Sequence, residues 1–453
     1  MAELSPGAAS AASAALAAKL RVAGHGITSI CSAHPLVLRS AFEQALEDGS
    51  SVLVESTSNQ VNQAGGYTGF SPAQFVALVR GLAAEEGLPE ERLVLGGDHL
   101  GPHPWKAAGS VVAMGHAAEM MRQYASAGYA KLHLDASMAC ADDAGGEGED
   151  ALAAARTADL AAAAEEACAG RPASSPLPLY VIGTEVPAPG GQAARAEAGP
   201  SVTRVADAER ALELTRRAFE RRGVGDAWQR VIALVVQCGV EFGDDVVFRY
   251  QREPAAALAA FARRRGGIVY EAHSTDYQDE AALRAMVEDG FAILKVGPAL
   301  TFAFREAVFA LEAIEREILG RRAPERLSGL RQVLDQAMCR DPRHWRPYLP
   351  GDDEHELRLR RQYGLSDRVR YYWPVPDVQE ALRRLFANLE GLALPRGLLS
   401  QYLPDAVDAF AGERAAGLAP RLARQHVRGV LRRYARAGSP GPGLAARAVL
   451  PIP

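Results

Sequence analysis

Short runs of apolar residues recur along the first 300 residues, and each run ends in polar or small residues. Most of these runs are continuously apolar rather than alternating, which is typical of strands that are buried on both faces of a parallel sheet. The pattern predicts eight strands, at residues 27–31, 52–55, 93–96, 131–135, 180–183, 231–236, 268–271 and 292–296.

Helical patterns separate these strands. The segment 72–84 is the clearest, because Ser71 can cap its amino end and Pro72 occupies the first helical position. The other predicted helices lie at residues 117–127, 151–169, 206–222, 255–264 and 280–289. Eight strands that alternate with helices predict an α/β fold, a TIM (β/α)8 barrel. A doubly wound open sheet is the alternative, but the glycine signature that follows its first strand is missing here.

Beyond residue 301 only helices are predicted, at residues 302–319, 326–338, 377–392, 404–411 and 420–437. The sequence therefore predicts four segments. They are an alanine-rich N-terminal helix or loose terminus at 1–23, the barrel at 24–305, a helical C-terminal region at 306–438 and a flexible tail at 439–453. Two long loops rich in small residues, 140–150 and 187–200, are expected to cover or line a site.

Composition and charge narrow the class of protein. The 453 residues are 48% hydrophobic and 23% charged, which excludes a mostly disordered chain, a collagen and a coiled coil. A net charge of −5 gives no sign of nucleic-acid binding, and no apolar run is long enough for a membrane-spanning helix. Five scattered cysteines without a C-x-x-C pair predict a cytoplasmic protein rather than a disulfide framework.

Polar side chains cluster where the predicted strands end. In a TIM barrel the carboxyl ends of the strands form the face that holds the active site. Charged groups are rarely buried without partners, so a series of strands that end in such groups predicts a polar cavity. The groups are Glu55, Asn59, Gln60, Asp98, His99, His133, Asp135, Glu185, Gln237, Glu241, Glu271, His273, Ser274 and Asp276, with Lys295 inside the last strand.

Asp98 and His99 are the most informative pair in this set. The imidazole can bind a divalent metal while the carboxylate acts as a base. The alternative is an aspartate that caps a helix beside a structural histidine. Glu185 and His273 would complete a three-ligand open metal site with His99, a set that zinc enzymes use. Alternatively, Glu185 forms a buried ion pair with Lys295 or an arginine.

Lys295 raises a different mechanism, because a desolvated lysine can form a Schiff base with a ketone. The favoured alternative is a cation that binds substrate hydroxyls or phosphate, or that neutralises carboxylates. A phosphate site is expected near the last two strands, where Ser274, the turn at 297–298 and Arg305 offer donors.

A second group of cations lies in the C-terminal region. Arg368 and Arg370 stand beside Tyr371, Tyr372 and Trp373, and this set fits either a phosphate grip or a helix packed on the barrel. The sequence contains no Walker phosphate loop, so ATP-dependent chemistry is not expected.

Long motifs between about residues 24 and 437 resemble one family, the GatZ/KbaZ-like proteins, named for the non-catalytic subunit of class II D-tagatose-1,6-bisphosphate aldolase. The motifs are Cys31-Ser-Ala-His-Pro, Glu55-Ser-Thr-Ser-Asn-Gln-Val-Asn-Gln, Gly65-Gly-Tyr-Thr-Gly, Gly96-Gly-Asp-His-Leu-Gly-Pro, His133-Leu-Asp-Ala-Ser-Met, Ile182-Gly-Thr-Glu-Val-Pro, Tyr270-Glu-Ala-His-Ser-Thr-Asp-Tyr-Gln, Leu294-Lys-Val-Gly-Pro-Ala-Leu-Thr-Phe, Leu365-Ser-Asp-Arg-Val-Arg-Tyr-Tyr-Trp-Pro and Ser400-Gln-Tyr-Leu-Pro.

The resemblance implies a TIM barrel related to class II aldolases and a role in carbohydrate metabolism. Some relatives interconvert tagatose 6-phosphate and fructose 6-phosphate at C4, and others support a separate catalytic aldolase chain. In the wider aldolase group an Asp-His pair supplies a hydroxyl base and a zinc ligand, which implies these roles for Asp98 and His99. His273 can be a further ligand, and the remaining position offers Glu185 or Gln237. The implied cofactor is a divalent metal, zinc or alternatively manganese.

The main functional prediction is C4 epimerisation of a ketohexose 6-phosphate by a metal-assisted retro-aldol route. The alternative is the non-catalytic aldolase subunit, and a sugar-phosphate binding protein without turnover is a third possibility. The predicted partners are the ketohexose phosphate, a class II aldolase chain and further copies of this chain in a homo-oligomer. The predicted site has His99, Glu185 and His273 as metal ligands, Asp98, Asp276 and Asp135 as catalytic residues, and Asn59, Gln60, His133, Ser274, Lys295 and Arg305 as substrate-binding residues.

Overall fold

A closed ring of eight parallel strands forms the centre of the molecule. The computed structural model describes residues 6–143, 148–172, 175–183, 199–414 and 416–439, with side chains from residue 12 onward. All eight predicted strands are present, and a short unpredicted hairpin, β7–β8, follows β6. The strands are β1 (Ile27–Ile30), β2 (Val52–Thr57), β3 (Leu93–Leu100), β4 (Lys131–Leu134), β5 (Leu179–Ile182), β6 (Val231–Val235), β7 (Glu241–Phe242), β8 (Val247–Phe248), β9 (Val269–Ala272) and β10 (Phe291–Val296).

The ring closes where β1 pairs with both β2 and β10, with Ile27 opposite Ile293. The predicted TIM barrel with C-terminal helices is confirmed. Since every pair in the ring is parallel, the carboxyl ends of all eight strands meet at one face. The longest strand is β3, which carries Asp98 and His99 beyond the point where its pairing with β4 shifts register.

Helices cover the outside of the ring and continue into the C-terminal region. They are α1 (Pro6–Leu20), α2 (Pro35–Asp48), α3 (Pro72–Glu85), α4 (Ser110–Ser126), α5 (Glu149–Ala169), α6 (Val205–Arg221), α7 (Arg252–Arg265), α8 (Glu280–Glu288), α9 (Pro298–Leu319), α10 (Leu330–Arg340), α11 (Glu354–Tyr363), α12 (Pro376–Leu389), α13 (Arg396–Tyr402), α14 (Val407–Phe410) and α15 (Leu418–Gly438). No helix in the described ranges is both long and apolar enough to cross a membrane.

Local sequence signals account for most of these helices. Ser71 and Gln74 form a capping box at the start of α3, with Pro72 at the first helical position as predicted. The sequence interpretation does not include α2, α11 and α13. In α2 the signal was present, because buried Val37, Leu38 and Ala41 follow a helical spacing after Pro35.

The last described helix, α15, belongs to the helical layer around the barrel. It packs against α2, α8 and α9, so it lies between the helices that follow the first and the seventh strand of the ring. The Tyr434 hydroxyl donates to the Thr275 carbonyl at 2.7 Å, and Gly26 N–H donates to the Gly438 carbonyl at 3.0 Å. The predicted boundary at residue 305 falls inside α9.

Helix α1 closes the amino-terminal end of the barrel. Ala12, Leu16 and Leu20 are at most 4% exposed and pack with inward-facing strand residues such as Ile27 and Leu53. These strand residues belong to a core cluster separate from the one between strands and helices, as expected when alternate strand positions face opposite sides.

We expect Leu16→Ala to lower the free energy of unfolding by about 2–4 kcal/mol, because it leaves a cavity at the closed end of the barrel. Urea denaturation followed by circular dichroism measures the change. Ala15→Gln, on the exposed side of the same helix, is the matched control and should change it by less than about 0.5 kcal/mol. A Leu16→Ala effect no larger than that of the control would contradict the packing of α1 under the barrel.

Candidate active site

Two lysines and two glutamates form a buried charged layer inside the barrel, where TIM barrels usually hold branched apolar side chains. Lys131 Nζ contacts Glu55 Oε1 and lies 2.6 Å from Glu271 Oε2, while Lys295 Nζ lies 2.5 Å from Glu55 Oε2. Gly96 makes room for the layer, because a Cβ at this position would collide with the Glu55 carboxylate. Since an unpaired buried charge is strongly unfavourable, these four side chains depend on one another.

Lys295 is surrounded by carboxylates. Its Nζ also lies 2.6 Å from Asp98 Oδ1 and 3.4 Å from Glu271 Oε1. Burial lowers the pKa of this lysine, but the negative charges of Asp98, Glu271 and Glu55 outweigh burial and raise the pKa well above its usual range. A lysine that stays protonated is a poor nucleophile, so the geometry favours the cation over the Schiff-base alternative.

Asp98 is held as a carboxylate at the end of β3. Its Oδ1 accepts the backbone N–H of His99 at 2.9 Å and lies 2.9 Å from His133 Nδ1. Burial opposes ionisation, but the positive charges of His99 and Lys295 and the hydrogen bond with His133 hold the pKa of Asp98 well below its usual range. Asp98 therefore stays available as a proton acceptor at neutral pH.

His99 adopts a left-handed backbone conformation, with a φ of 48°. Residues other than glycine adopt this conformation uncommonly, histidine more often than most, and such positions cluster at functional sites. Its Nδ1 lies 2.8 Å from Asp135 Oδ2, and Asp135 Oδ1 accepts the Ser137 hydroxyl at 2.5 Å. Burial lowers the pKa of His99, but the Asp98 and Asp135 carboxylates outweigh it, so the pKa is raised. A carboxylate behind a histidine fixes its orientation, as in many metal sites.

Three histidine rings converge at this face of the barrel. The centroid of the His99 ring lies 5.5 Å from that of His133 and 4.8 Å from that of His273, and the last two are 5.3 Å apart. His273 Nε2 lies 3.1 Å from Glu271 Oε1. His133 and His273 thus have one nitrogen held by a carboxylate and the other left for a ligand, whereas both nitrogens of His99 lie near carboxylates, with Nε2 3.7 Å from Asp98 Oδ2.

The residues around Asp98 fit a divalent metal. One ligand atom from each of Asp98, His133, Glu271 and His273 lies within 4.8 Å of the others. His133 Nε2 is buried and has no hydrogen-bond partner within the described ranges. Imidazole nitrogen and carboxylate oxygen together suit zinc or manganese.

A cavity with about 650 Å³ of empty space, which includes space open to solvent, lies at this face. It brings together eight residues that the sequence interpretation selected, namely Asn59, Gln60, Asp98, His99, His273, Ser274, Asp276 and Lys295. It also includes Gly297, Pro298, Arg370 and Tyr371, which the sequence interpretation considered for phosphate binding. The remaining lining residues were not selected from the sequence, namely Cys31, Thr57, Tyr67, Phe242 and Val296.

The other predicted residues lie elsewhere. His133 and Asp135 are buried behind the cavity wall, where they contact Asp98 and His99 as described above. Arg305 is not brought to the cavity, because its guanidinium donates to the Gln362 carbonyl and stacks 3.9 Å from the Phe302 ring centroid. Glu185, the predicted third metal ligand, lies outside the described residues.

Some residues of the site carried a sequence signal that was not used. Lys131 begins a strand in which all four residues are buried, and a charge there needs a buried partner. Tyr67 lies in the glycine-rich motif at residues 65–69, and its backbone N–H donates to the Asn59 carbonyl at 3.0 Å. Arg370 and Tyr371 could not be assigned to the cavity, because chain order does not show which helix of the C-terminal region faces the barrel.

Two further carboxyl groups titrate near neutral pH. Asp276 Oδ1 accepts the backbone N–H groups of Gly297 at 3.0 Å and Ala299 at 2.8 Å, but burial outweighs these hydrogen bonds and raises its pKa to about 6. Burial likewise raises the pKa of Glu241 to about 7, against a hydrogen bond with Ser274. A pKa close to the working pH is what a group needs in order both to accept and to donate a proton.

We expect Asp276→Asn to remove a pH dependence of stability. The folded pKa of about 6 exceeds the unfolded value of about 3.9, so the folded state binds more protons between them and the wild type loses stability as pH rises through this window. Urea denaturation should show the variant gaining about 1 kcal/mol relative to the wild type between pH 5 and pH 7.5. The exposed Asp408→Asn is the control, and a difference that stays constant with pH would refute the assignment.

Comparison with known proteins gives consistent results over most of the chain. A family model described as D-tagatose-1,6-bisphosphate aldolase subunit GatZ/KbaZ-like matches residues 14–439. Two relatives, from Salmonella heidelberg (strain SL476) and Salmonella typhimurium (strain LT2), are named D-tagatose-1,6-bisphosphate aldolase subunit GatZ. Each is 48% identical to this chain over 380 residues, which cover 84% of this chain and 88% of the relative. A crystal structure of a probable tagatose 6 phosphate kinase from Sinorhizobium meliloti 1021 is 44% identical with a TM-score of 0.81, and the match covers 91% of this chain and 100% of that one.

Proposed function

The chain belongs to the GatZ/KbaZ-like family of D-tagatose-1,6-bisphosphate aldolase subunits, and we propose that it acts as such a subunit, associated with a class II catalytic chain whose activity and stability it supports. The observation that carries this proposal is the 48% identity, over 84% of the chain, to proteins that bear this name. The residues that match extend through both the barrel and the C-terminal region.

Co-expression tests the subunit function. A class II tagatose-bisphosphate aldolase chain from the same genome would be produced with and without this chain, and cleavage of tagatose 1,6-bisphosphate would be measured in both preparations. We expect the two chains to co-purify and the activity of the catalytic chain to fall when this chain is absent. Equal activity and half-life in both preparations would refute the proposal.

The cavity favours a second candidate function, C4 epimerisation of ketohexose 6-phosphates. A cavity lined by Asp98, His99 and Lys295 above a layer of buried charges is costly to keep folded, and a purely supporting subunit does not need it. The two names among the relatives both refer to tagatose phosphates. The sugar-phosphate ligand is therefore common to both candidate functions.

The chemistry of a 2-ketose restricts the route. The C4 proton is not α to the C2 carbonyl, so simple enolisation cannot invert C4. A base can instead take the C4 hydroxyl proton, after which the C3–C4 bond breaks and its electron pair forms the enediolate of the C1–C3 fragment. The C4–C6 aldehyde turns, C3 attacks its other face, and the resulting C4 alkoxide takes back a proton.

The residues of the cavity can serve each of these steps. Asp98, kept ionised by Lys295, accepts the C4 hydroxyl proton and returns it. Asp276, with its pKa of about 6, is the second acid or base. The Asn59 amide is assigned to the sugar hydroxyls. The Gln60 amide, predicted for the same role, accepts the Thr57 backbone N–H at 2.9 Å and donates to the Cys31 carbonyl at 3.4 Å, so at most one N–H of Gln60 remains for the sugar.

A divalent metal would be held by His133, Glu271 and His273, with Asp98 as the fourth residue of the cluster; His99, predicted as a ligand, is not part of it. When bound, it supplies a Lewis acid that stabilises negative charge on the substrate oxygens. His133 and Asp135, predicted as a substrate-binding and a catalytic residue, do not line the cavity and contact Asp98 and His99 instead. We therefore assign Asp135 to the orientation of His99, and His133 to the metal site. Phosphoryl transfer from ATP is not proposed, because the sequence has no Walker loop.

The epimerase candidate is tested by NMR. The purified chain, analysed for metal content and supplied with zinc or manganese, is incubated with fructose 6-phosphate and, separately, with tagatose 6-phosphate. We expect each sugar to appear from the other. If fructose 6-phosphate stays unchanged at C4 with either metal, the epimerase function is wrong and the subunit function stands alone.

A further inference from the structure

One lysine and one arginine line the cavity in the described part of the chain, and of these two only the arginine is free to bind an anion. The two residues are Lys295 and Arg370. Lys295 is saturated by Glu55, Asp98 and Glu271, as described above. Arg370 has no carboxylate oxygen within 4.0 Å among the residues that the structure describes. A partly buried guanidinium without a carboxylate partner is unusual, because burial of a charge is unfavourable unless a counter-charge compensates it.

Arg370 is held in place by neutral groups on one side. Nη1 donates to the Ser366 and Asp367 carbonyl oxygens, the second at 2.9 Å, and Nη2 donates to the Tyr371 hydroxyl at 3.0 Å. Its Cζ lies 4.5 Å from the Tyr371 ring centroid. These contacts fix the plane of the guanidinium and leave its Nε–H and one Nη2–H without a partner in the described ranges. Two parallel N–H groups of this kind match the oxygen atoms of a phosphate.

The residues around Arg370 are held in defined positions by close backbone and ring packing. Asp367, whose carbonyl accepts from Nη1, has a φ of 45°, a left-handed conformation that aspartate tolerates better than most residues. On the opposite side, the Tyr67 ring packs edge-on against Tyr371 with centroids 4.7 Å apart. The loop that carries Tyr67 approaches the backbone at Gln60 so closely that a Cβ on Gly66 would collide with the Gln60 carbonyl.

The electrostatics agree with an anion site. Burial raises the pKa of a tyrosine, but the charges of Arg370 and Arg368 outweigh burial at Tyr371, and its pKa is lowered. The local potential is therefore positive although the chain as a whole carries a net charge of −5. Arg305, the cation predicted for phosphate from the sequence, is committed to the Gln362 carbonyl and cannot serve here.

We propose that Arg370, with the hydroxyls of Tyr371 and Tyr67, binds the C6 phosphate of a ketohexose 6-phosphate in the cavity. The inference rests on the second proposed function for the class of ligand. It adds a specific role, because in the retro-aldol route the C4–C6 fragment carries the phosphate. A cation on that phosphate holds the fragment while C4 turns, which keeps the aldehyde from leaving before the bond reforms.

Isothermal titration of the full chain tests this, with fructose 6-phosphate, fructose and inorganic phosphate as probes. We expect the wild type to bind fructose 6-phosphate more tightly than fructose. The Arg370→Gln variant should bind fructose 6-phosphate at least about 30-fold more weakly than the wild type, the order expected for loss of a charge-assisted pair of hydrogen bonds. Binding of fructose should change by less than about 3-fold. Arg396→Gln, an exposed arginine that pairs with Asp408, is the matched control and should leave all three titrations unchanged.

Arg370→Lys keeps the charge but loses the planar pair of donors, so its affinity for fructose 6-phosphate should be about 10-fold lower than that of the wild type. If the glutamine variant does not fold, the lysine variant decides the question. Affinity for fructose 6-phosphate within 3-fold of the wild type in either variant overturns the phosphate role, while C4 exchange by the wild type would leave the epimerase function standing. A wild type that shows no preference for the phosphorylated sugar also overturns it. Conversely, absence of C4 exchange refutes only the epimerase, and a phosphate preference that is lost in Arg370→Gln still supports the site.

Discussion

Replacing Lys131 by methionine is expected to lower the free energy of unfolding by about 3–5 kcal/mol, the range measured when one partner of a buried ion pair is removed. Lys131 is fully buried and contacts both Glu55 and Glu271, so its loss leaves two carboxylates inside the barrel with Lys295 as the one remaining lysine partner in the described chain. Methionine has a similar length and is apolar, so the change removes the charge with little change in volume. Urea denaturation followed by fluorescence and circular dichroism measures the difference.

The control for this result is Lys106→Met, which removes an exposed lysine near Met138 and should change stability by less than about 0.5 kcal/mol. A second variant that combines Lys131→Met with Glu271→Gln should have a free energy of unfolding at least about 1 kcal/mol higher than Lys131→Met alone, because it also removes an uncompensated negative charge. If the single variant is as stable as the control, the four side chains do not form an interdependent layer and the structural argument for the polar barrel fails.

Asp98→Asn is expected to reduce the rate of C4 exchange by about 10²–10⁴-fold, the range for loss of a general base. Asparagine keeps the shape of the side chain and an oxygen that can accept the backbone N–H of His99, but it cannot take a proton from the substrate hydroxyl. Initial rates of exchange between fructose 6-phosphate and tagatose 6-phosphate, measured by NMR with metal in excess, give the effect. Asp408→Asn is the control, because it makes the same substitution at an exposed position outside the cavity lining and should leave the exchange rate unchanged.

The same variant separates the two proposed functions. If the chain acts both as an epimerase and as an aldolase subunit, Asp98→Asn should lose exchange and still support a co-expressed catalytic aldolase chain, because Asp98 is buried and cannot touch a partner. Retention of more than about one tenth of the wild-type exchange rate would rule out Asp98 as the base. Loss of support for the catalytic chain would instead indicate that the cavity itself takes part in the aldolase complex.

Stability and chemistry are linked in this barrel. Lys295 belongs to the buried charged layer and also contacts the candidate base Asp98. The same layer therefore lowers the stability of the fold and keeps Asp98 ionised. Natural sites often carry such destabilising groups where function needs them. Replacing Glu55, Lys131, Glu271 and Lys295 together by apolar residues would remove this cost, so stability alone does not explain why the chain has the charged layer.

Several parts of the site could be predicted from sequence because they depend on local order. The motif at Asp98 and His99 follows a strand, and in a parallel barrel every strand end reaches the same face. The selection of Asn59, Gln60, His273, Ser274 and Asp276 rests on that rule, and the cavity includes all of them. The rule concerns which face a residue reaches, so it cannot tell a residue in the cavity from one behind its wall. His133 shows this limit, since it follows the rule but contacts Asp98 from behind the cavity.

The barrel, its eight strands and the face of the site could be predicted from the sequence alone, because continuously apolar runs and helical periods are properties of neighbouring residues. Only the tertiary structure decided which distant residues share that site. α15 enters the helical layer between α2 and α8, and Arg370 reaches the cavity from the C-terminal region while the nearer Arg305 turns to the Gln362 carbonyl. The physical reason is that these placements depend on how helices separated by more than a hundred residues pack together and on which buried charges find partners, and neither leaves a periodic trace along the chain.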